Sequence, residues 1–337
     1  MDETRASARE RRLHELRRQA EMGGTLGDAG VVPSGSPLPH QSDSTGYYGQ
    51  PMLKAPVWTW EIPTYFFVGG AAGAAAVIGA VAQKSGADAA LVRDARWIAA
   101  AGGLASPALL ISDLGRPERF LNMLRVFKLR SPMSVGAWTL VAFSSLATAA
   151  AFADLVSRRT LGRVPVKVIG DAAGMLAAAT GTVLATYTGV LIGATAIPVW
   201  SKNVRRLPIQ FGGSGIGAAV SLLELLGHRD RALNRLAIGT AAVETLVELS
   251  VESSGESALE PIRHGRSGTT MRVGGLLSGP LPLALRLLAP RSRTARRLAA
   301  VSTILGSLIT RVEWLDAGRE SAAAPAAGSS ADSSFDR

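Results

Sequence analysis

Residues 62–83 most constrain the fold of this sequence, because they form a long run without a charged side chain. A helix of about 20 apolar residues is long enough to cross the hydrocarbon core of a bilayer. Further apolar stretches of similar length follow at about 95–114, 134–156, 169–192, 207–226 and 232–251. The pattern therefore predicts an all-α integral membrane protein that crosses the bilayer several times.

Two shorter apolar stretches lie nearer the C-terminus. Thirteen uncharged residues separate Arg272 from Arg286, and thirteen more separate Arg297 from Arg311. Arginine side chains at both ends of such a segment can extend to the interface, which allows a short apolar run to cross. We therefore expect about eight transmembrane helices.

The eight expected helices divide into two bundles of four. The first bundle is expected over residues 56–200 and the second over residues 201–316. Residues 1–55 are polar and contain a stretch rich in Gly, Ser and Pro, so we expect a largely disordered N-terminal tail there. A disordered C-terminal tail is expected over residues 317–337.

The amino-acid composition restricts the kinds of cofactor and partner that this chain can bind. Only 18% of the residues are charged, against about 25% in soluble domains. The absence of cysteine excludes disulfides, iron–sulfur ligation and a thiol nucleophile in this chain. The four histidines lie in the N-terminal tail or in predicted loops, so we expect no haem. The net charge of +10 suits basic loops near anionic lipid, and basic residues placed between apolar spans argue against a nucleic-acid partner.

Counting helices places four patterned stretches on one membrane face, which we call face X. The first and third spans start on this face, and the second and fourth spans end there. The stretches are WTWEIPT (58–64), SDLGRP (112–117), RSPMSVGAW (130–138) and TYTGVLIGATAIPVW (186–200). We therefore expect these four stretches to meet.

Two acids and two phenols fall on face X. Glu61 begins the first span, where the helix dipole favours an acid, so a helix cap is the alternative to a ligand contact. Asp113 ends the second span, where the dipole disfavours it, and Arg116 is its nearest candidate partner. Tyr65 and Tyr187 are either aromatic-belt residues or ligand contacts. Acids, phenols and aromatic walls beside lipid suit a quinone headgroup, which needs hydrogen-bond donors and a route for protons.

Four further acids lie in or beside the predicted spans and form a candidate proton path: Asp171, Glu224, Glu244 and Glu248. Glu244 and Glu248 are one helical turn apart and would share a face. The alternative is ion pairing, for which the sequence offers Arg235, Arg286 and Arg311.

Glycines recur at a spacing of four residues, at 69 and 73, 170 and 174, 189 and 193, and 213 and 217. Small side chains at this spacing allow helix backbones to approach closely in a membrane. We therefore interpret these glycines as packing residues, and the GGSGIG stretch at 212–217 as no nucleotide motif, because no strand precedes it.

Three stretches resemble the NrfD / polysulphide reductase membrane subunit (PsrC-like) family. They are WEIPTYFFVGGAAGA (60–74), SDLGRPERFLNMLRVFKLRSPMSVGAW (112–138) and TYTGVLIGATAIPVW (186–200). The resemblance implies an eight-span subunit of the cell membrane that binds a quinone or quinol, with menaquinone expected. It also implies an iron–sulfur partner subunit and a molybdopterin catalytic subunit, of polysulfide reductase, nitrite reductase or formate dehydrogenase type.

The resemblance also suggests which residues bind the quinone and which dock the partner. The quinone site would contain Glu61, Thr64, Tyr65, Asp113, Arg116 and Tyr187. The amphipathic stretch after the second span is expected to lie in the headgroup region and, on face X, to dock the partner through Arg119, Arg125, Lys128 and Arg130. The chain alone would have no activity. An ion- or proton-translocating subunit and a purely structural anchor are the alternatives, and the membrane orientation stays open because basic residues are similar in number on both sides.

Overall fold

The computed structural model describes residues 53–159, 164–253 and 265–323, and within these ranges every regular element is a helix. The predicted N-terminal tail lies almost wholly outside the described residues. The helices are α1 (Glu61–Lys84), α2 (Ala89–Asp113), α3 (Arg119–Met123), α4 (Pro132–Arg159), α5 (Val164–Gly193), α6 (Pro198–Ser201), α7 (Arg206–Leu225), α8 (Arg231–Ser253), α9 (Gly265–Ser278), α10 (Pro280–Leu288) and α11 (Arg293–Ala323).

Five of the described helices are long and apolar enough to cross a membrane: α1, α2, α4, α5 and α11. They coincide with the first four predicted spans and the last one, which supports a membrane protein. The predicted fifth and sixth spans coincide with α7 and α8, which are helical without meeting the same criterion of length and apolar composition.

The predicted seventh span is not one continuous helix, because the chain breaks at Gly279 between α9 and α10. Pro280 and Pro282 follow at once, and proline lacks the N–H that a continuing helix needs. A Cβ at Gly279 would lie 2.8 Å from the Thr245 backbone nitrogen, so the break also brings this glycine close to α8.

The last helix is longer than predicted. We expected a tail from residue 317, whereas α11 continues to Ala323. Ala317 and Ala322 are each 1% exposed, so burial against neighbouring helices stabilises these additional turns. An ion pair of 2.6 Å between Asp316 and Arg319, one helical turn apart, further stabilises this end of α11.

Helix α1 lies at the centre of the described core, with most of its glycines and alanines buried. A Cβ at Gly73 would overlap the Gly181 carbonyl of α5, and a Cβ at Gly215 of α7 would lie 2.9 Å from the Gly70 carbonyl oxygen. Backbones approach this closely only where side chains are absent. The predicted packing role of the glycines at 73, 170 and 189 is confirmed, since a Cβ at each would lie closer than van der Waals contact to a neighbouring helix. The same prediction is wrong for Gly213, where a Cβ would meet its nearest described neighbour at an ordinary 3.8 Å.

Candidate functional site

The start of α1, the end of α2, the start of α4 and the end of α5 meet around a cavity of about 90 Å³, which we call the face-X cavity. The four patterned stretches therefore lie together, as helix counting predicted. Its lining is Trp58, Ile62, Tyr65, Phe66, Leu110, Asp113, Leu114, Met123, Met133, Ala137, Tyr187 and Leu191.

Three of the six predicted quinone residues line this cavity, namely Tyr65, Asp113 and Tyr187. Both tyrosines are buried, with 2% and 8% of their surface exposed respectively. The Tyr187 ring packs on Gly136 of α4, where a Cβ would overlap the ring carbons and the hydroxyl. The two phenols and one carboxylate are thus the polar groups of a pocket with otherwise apolar and aromatic walls.

The Asp113 carboxylate is held by Thr59, which precedes α1. Its Oδ1 accepts hydrogen bonds from the Thr59 backbone N–H at 3.2 Å and from the Thr59 hydroxyl at 3.0 Å. Within the described residues Asp113 forms no ion pair with Arg116, so the predicted pairing is wrong. Gly115 adopts a positive φ of 65°, and the chain turns there so that Arg116 is exposed and outside the cavity lining.

Glu61 and Thr64 lie beside the cavity without lining it. The Glu61 carboxylate is half-buried and contacts the same Thr59 hydroxyl that reaches Asp113. The Thr64 hydroxyl donates to the Trp60 carbonyl at 2.7 Å and is thus engaged by its own helix. Glu61 is therefore connected to the cavity through Thr59, whereas Thr64 supports the first turn of α1.

Trp58 also lines the cavity, although it was not among the predicted quinone residues. Its ring stacks on Trp200 at 6.0 Å between centroids and meets Phe66 edge-on at 6.5 Å. Its carbonyl accepts a hydrogen bond from Arg319 of α11. The WTW pattern showed an unusual aromatic density, but no sequence signal linked it to residues 142 and 261 positions away.

The connector between α2 and α4 covers one side of the cavity. Phe120 is buried and Met123 lines the cavity, as expected for the apolar side of an amphipathic segment. Phe127 of the same connector is 54% exposed and meets Trp138 edge-on. The four predicted docking residues Arg119, Arg125, Lys128 and Arg130 are all exposed.

Among the candidate proton-path acids, Asp171 and Glu224 form ion pairs with arginines. Asp171 accepts from the buried Arg96 at 2.8 Å, and the same guanidinium donates to Asp154 at 2.5 Å. Glu224 accepts from Arg286 at 2.6 Å and from Arg296 at 2.7 Å. These ion pairs join separate helices.

Glu244 is buried, with 4% of its surface exposed, and its Oε1 has no hydrogen-bond partner among the described residues. Glu248 lies on the same helix, and its carboxylate packs directly on Gly275 of α9. The buried Arg311 does not form an ion pair with Glu244 in the described part of the chain. It donates to the Phe211 carbonyl and to Ser214 and Ser307, and its guanidinium lies 5.0 Å from the Phe211 ring centroid.

A family model described as "Polysulphide reductase, NrfD" matches residues 50–243 of this sequence. The matched range extends from before α1 into α8 and contains all four stretches that form the face-X cavity. A search of curated proteins found no match.

Proposed function

Because the chain belongs to the NrfD polysulphide reductase family, whose members are membrane subunits of oxidoreductase complexes, we propose that it exchanges electrons and protons between the quinone pool and an iron–sulfur partner. The observation that carries this proposal is the face-X cavity, in which one carboxylate and two phenols share apolar and aromatic walls. Menaquinone is the quinone that we propose, in a multi-pass subunit of the cell membrane with eight spans in two bundles.

The chemistry of the cavity fits a quinone headgroup. Tyr65 and Tyr187 carry hydroxyl groups that can donate to the two carbonyl oxygens of such a ring. Phe66 and Trp58 offer apolar faces against which a flat ring can pack. A quinone accepts two electrons and two protons at its ring oxygens, so the site also needs a group that carries protons.

Asp113, Thr59 and Glu61 supply such a route in this proposal. The Thr59 hydroxyl contacts both carboxylates and has a single proton, so it can donate to only one of them at a time. A proton passed from the cavity to Asp113 can continue through Thr59 to Glu61, which is half exposed at the start of α1. The three residues thus join the cavity to face X.

The electron partner would dock beside the cavity. The chain has no cysteine to ligate an iron–sulfur cluster, so we assign the cluster to another subunit, next to a molybdopterin subunit. The connector carries its basic residues outward while Met123 lines the cavity, which brings the docking surface close to the quinone site. The proposed docking residues are Arg119, Arg125, Lys128 and Arg130.

The test is quinol-dependent electron transfer in the intact complex. We expect Asp113→Asn and Tyr187→Phe each to lower the rate by at least tenfold, since each removes a group that handles protons or binds the headgroup. Glu118→Gln is the matched control, because Glu118 is exposed on the same connector outside the cavity lining. Rates and quinol affinities that equal those of the control would refute the site assignment.

A second proposal concerns proton translocation, and the Glu244 oxygen without a hydrogen-bond partner is the observation that favours it. A buried carboxyl group in a helix bundle is a candidate for carrying a proton. We propose that Glu244 acts in such a path, with Glu248 one helical turn further along the same helix. We assign Asp171 and Glu224 to structural ion pairs, because arginines hold them. Vesicles that contain this chain alone should conduct protons if it acts as a transporter. Proton movement that requires quinol and the whole complex would instead couple this path to electron transfer.

A further inference from the structure

A second cavity, of about 250 Å³, lies at the opposite end of the helices from face X. Helix α11 fixes its position, because this helix begins at Arg293 beside the cavity and reaches Trp58 at face X through Arg319. A rise of 1.5 Å per residue separates Arg293 from Arg319 by about 39 Å. We call this cavity the arginine pocket, since it is lined by Arg229, Arg291, Arg293, Arg296 and Arg297.

The arginine pocket carries a large excess of positive charge. One acid, Glu224, lines it, and that carboxylate already accepts hydrogen bonds from Arg286 and Arg296. The other four arginines of the lining are exposed, and none of them forms an ion pair within the described residues.

Two acids near the pocket are engaged elsewhere. Asp230 accepts a hydrogen bond from the Ala232 backbone N–H at 2.7 Å, where it caps the start of α8. Asp94 lies 2.9 Å from the His228 ring nitrogen and 2.7 Å from Arg93. The protein therefore leaves most of the pocket's positive charge without a carboxylate, which suits an anionic ligand from outside the chain.

The identity of the arginines indicates the class of anion. A planar guanidinium matches the paired oxygens of a phosphate group better than an ammonium does, and it stays charged at all physiological pH values. A volume of about 250 Å³ is roughly eight times the ~30 Å³ that a water molecule occupies in the liquid. The pocket thus has room for a phosphate with a small substituent.

Exposed leucines border the same helix ends and distinguish a lipid from a free phosphate. Leu288 at the end of α10 is 84% exposed, and Leu226 just after α7 is 60% exposed. Leu298 on the second turn of α11 is 56% exposed. Acyl chains would cover these side chains, whereas a soluble phosphate would leave them bare.

We propose that the arginine pocket binds the phosphodiester headgroup of an anionic phospholipid, with its acyl chains against these leucines. A basic pocket between helix ends at a membrane surface is the arrangement expected for such a headgroup. The lipid would join the ends of α7, α10 and α11 by neutralising the repulsion between their arginines. The site is separate from the face-X cavity and does not depend on the proposed redox function.

The test uses the full-length chain purified in detergent and washed to remove loosely bound lipid. Bound phospholipid is counted by mass spectrometry, and thermal unfolding is followed with added phosphatidylglycerol, phosphatidylcholine or inorganic phosphate. The pocket variant is Arg291→Gln with Arg293→Gln and Arg297→Gln. The matched control removes three positive charges at other helix ends, by Lys84→Gln, Lys202→Gln and Arg205→Gln; all three side chains are exposed.

We expect phosphatidylglycerol to raise the unfolding temperature of the wild type and of the control, and phosphatidylcholine to raise it much less. The pocket variant should bind phosphatidylglycerol on the order of a hundredfold more weakly, since each of the three arginines near such a surface contributes about fivefold. Equal binding by the pocket variant and the control would overturn the proposal. Stabilisation by inorganic phosphate that matches phosphatidylglycerol would assign the pocket to a soluble anion and would also overturn it. If the pocket variant does not fold, the wild-type protein alone tests the proposal. Equal effects of phosphatidylglycerol and phosphatidylcholine on its unfolding temperature would then contradict the proposal.

Discussion

The Thr59 hydroxyl lies 3.0 Å from the Asp113 carboxylate, although 54 residues separate them in the sequence. The same hydroxyl contacts Glu61, so one side chain just before α1 joins the acid of the cavity to the acid at the membrane edge. Thr59 was absent from the residues that the sequence singled out. Its position between two carboxylates makes it the most informative residue to change in the proposed proton route.

Thr59→Val should lower quinol-dependent electron transfer in the intact complex by about 10- to 100-fold, because it removes the hydroxyl that links the two acids. Thr59→Ser keeps the hydroxyl and should retain most of the rate. Thr64→Val is the control, since the Thr64 hydroxyl is engaged by the Trp60 carbonyl just before the same helix. A Thr59→Val complex as fast as the Thr64→Val complex would argue against the relay.

Gly136→Ala should weaken quinol binding without unfolding the subunit. A methyl group at Gly136 would overlap the Tyr187 ring, which would have to turn away from its place in the cavity. We expect KM for quinol to rise at least fivefold, because a hydrogen-bond donor and part of the wall are displaced. Gly213→Ala is a matched control, as its Cβ would meet its nearest neighbour at an ordinary 3.8 Å. An unchanged KM in Gly136→Ala would show that the Tyr187 ring does not touch the ligand.

Arg96→Met should destabilise the subunit by about 3 kcal/mol, because it leaves Asp154 and Asp171 close together without their shared cation. Asp171→Asn should lower the stability of the subunit by less, since Arg96 keeps Asp154 and the Gln83 side chain as partners. Thermal unfolding of the purified subunit in detergent measures both. If Asp171 carried protons instead, Asp171→Asn would lower proton movement in vesicles while the unfolding temperature stayed constant.

The sequence predicted the parts of the site that depend on helix ends. Tyr65, Asp113 and Tyr187 lie at ends of three spans that an odd–even count places on one membrane face, so their meeting in one cavity was foreseeable. Local backbone conformation was not foreseeable to the same degree. The positive φ of Gly115 turns Arg116 away from Asp113, and the contact of Trp58 with Arg319 depends on how the last helix packs.

The number of spans was harder to predict than their positions, since sequence windows report apolar length and not helix continuity. Uncharged residues continue through Gly279, so composition alone suggests one span between Arg272 and Arg286. The prolines at 280 and 282 break the helix there. Conversely, a tail was expected from residue 317, whereas burial of Ala317 and Ala322 keeps the chain helical to Ala323.

Gly73→Ala should weaken the packing of α1 against α5, because its Cβ would overlap the Gly181 carbonyl backbone. Backbone atoms cannot rotate away as a side chain can, so the helices must separate, and we expect a loss of about 1–3 kcal/mol in stability. Gly239→Ala is the control, because a Cβ there would meet no described atom within 4 Å apart from its chain neighbours and the adjacent backbone of its own helix. Thermal unfolding in detergent compares the two, and equal unfolding temperatures would contradict this packing.

Reversing the charge of the connector should release the electron-carrying partner. Arg119, Arg125, Lys128 and Arg130 are exposed, and changing all four to glutamate replaces a basic surface by an acidic one beside the cavity. Like charges across an interface disfavour association, and the rate of encounter is expected to fall as well. The connector should stay folded, since Ser134 still donates to the Val126 carbonyl at 3.1 Å and Phe120 stays buried.

Co-purification of the iron–sulfur subunit with the tagged chain is the measurement, and the Lys84, Lys202 and Arg205 glutamine variant controls for lost positive charge. Full retention of that subunit by the charge-reversed chain would place the docking surface elsewhere.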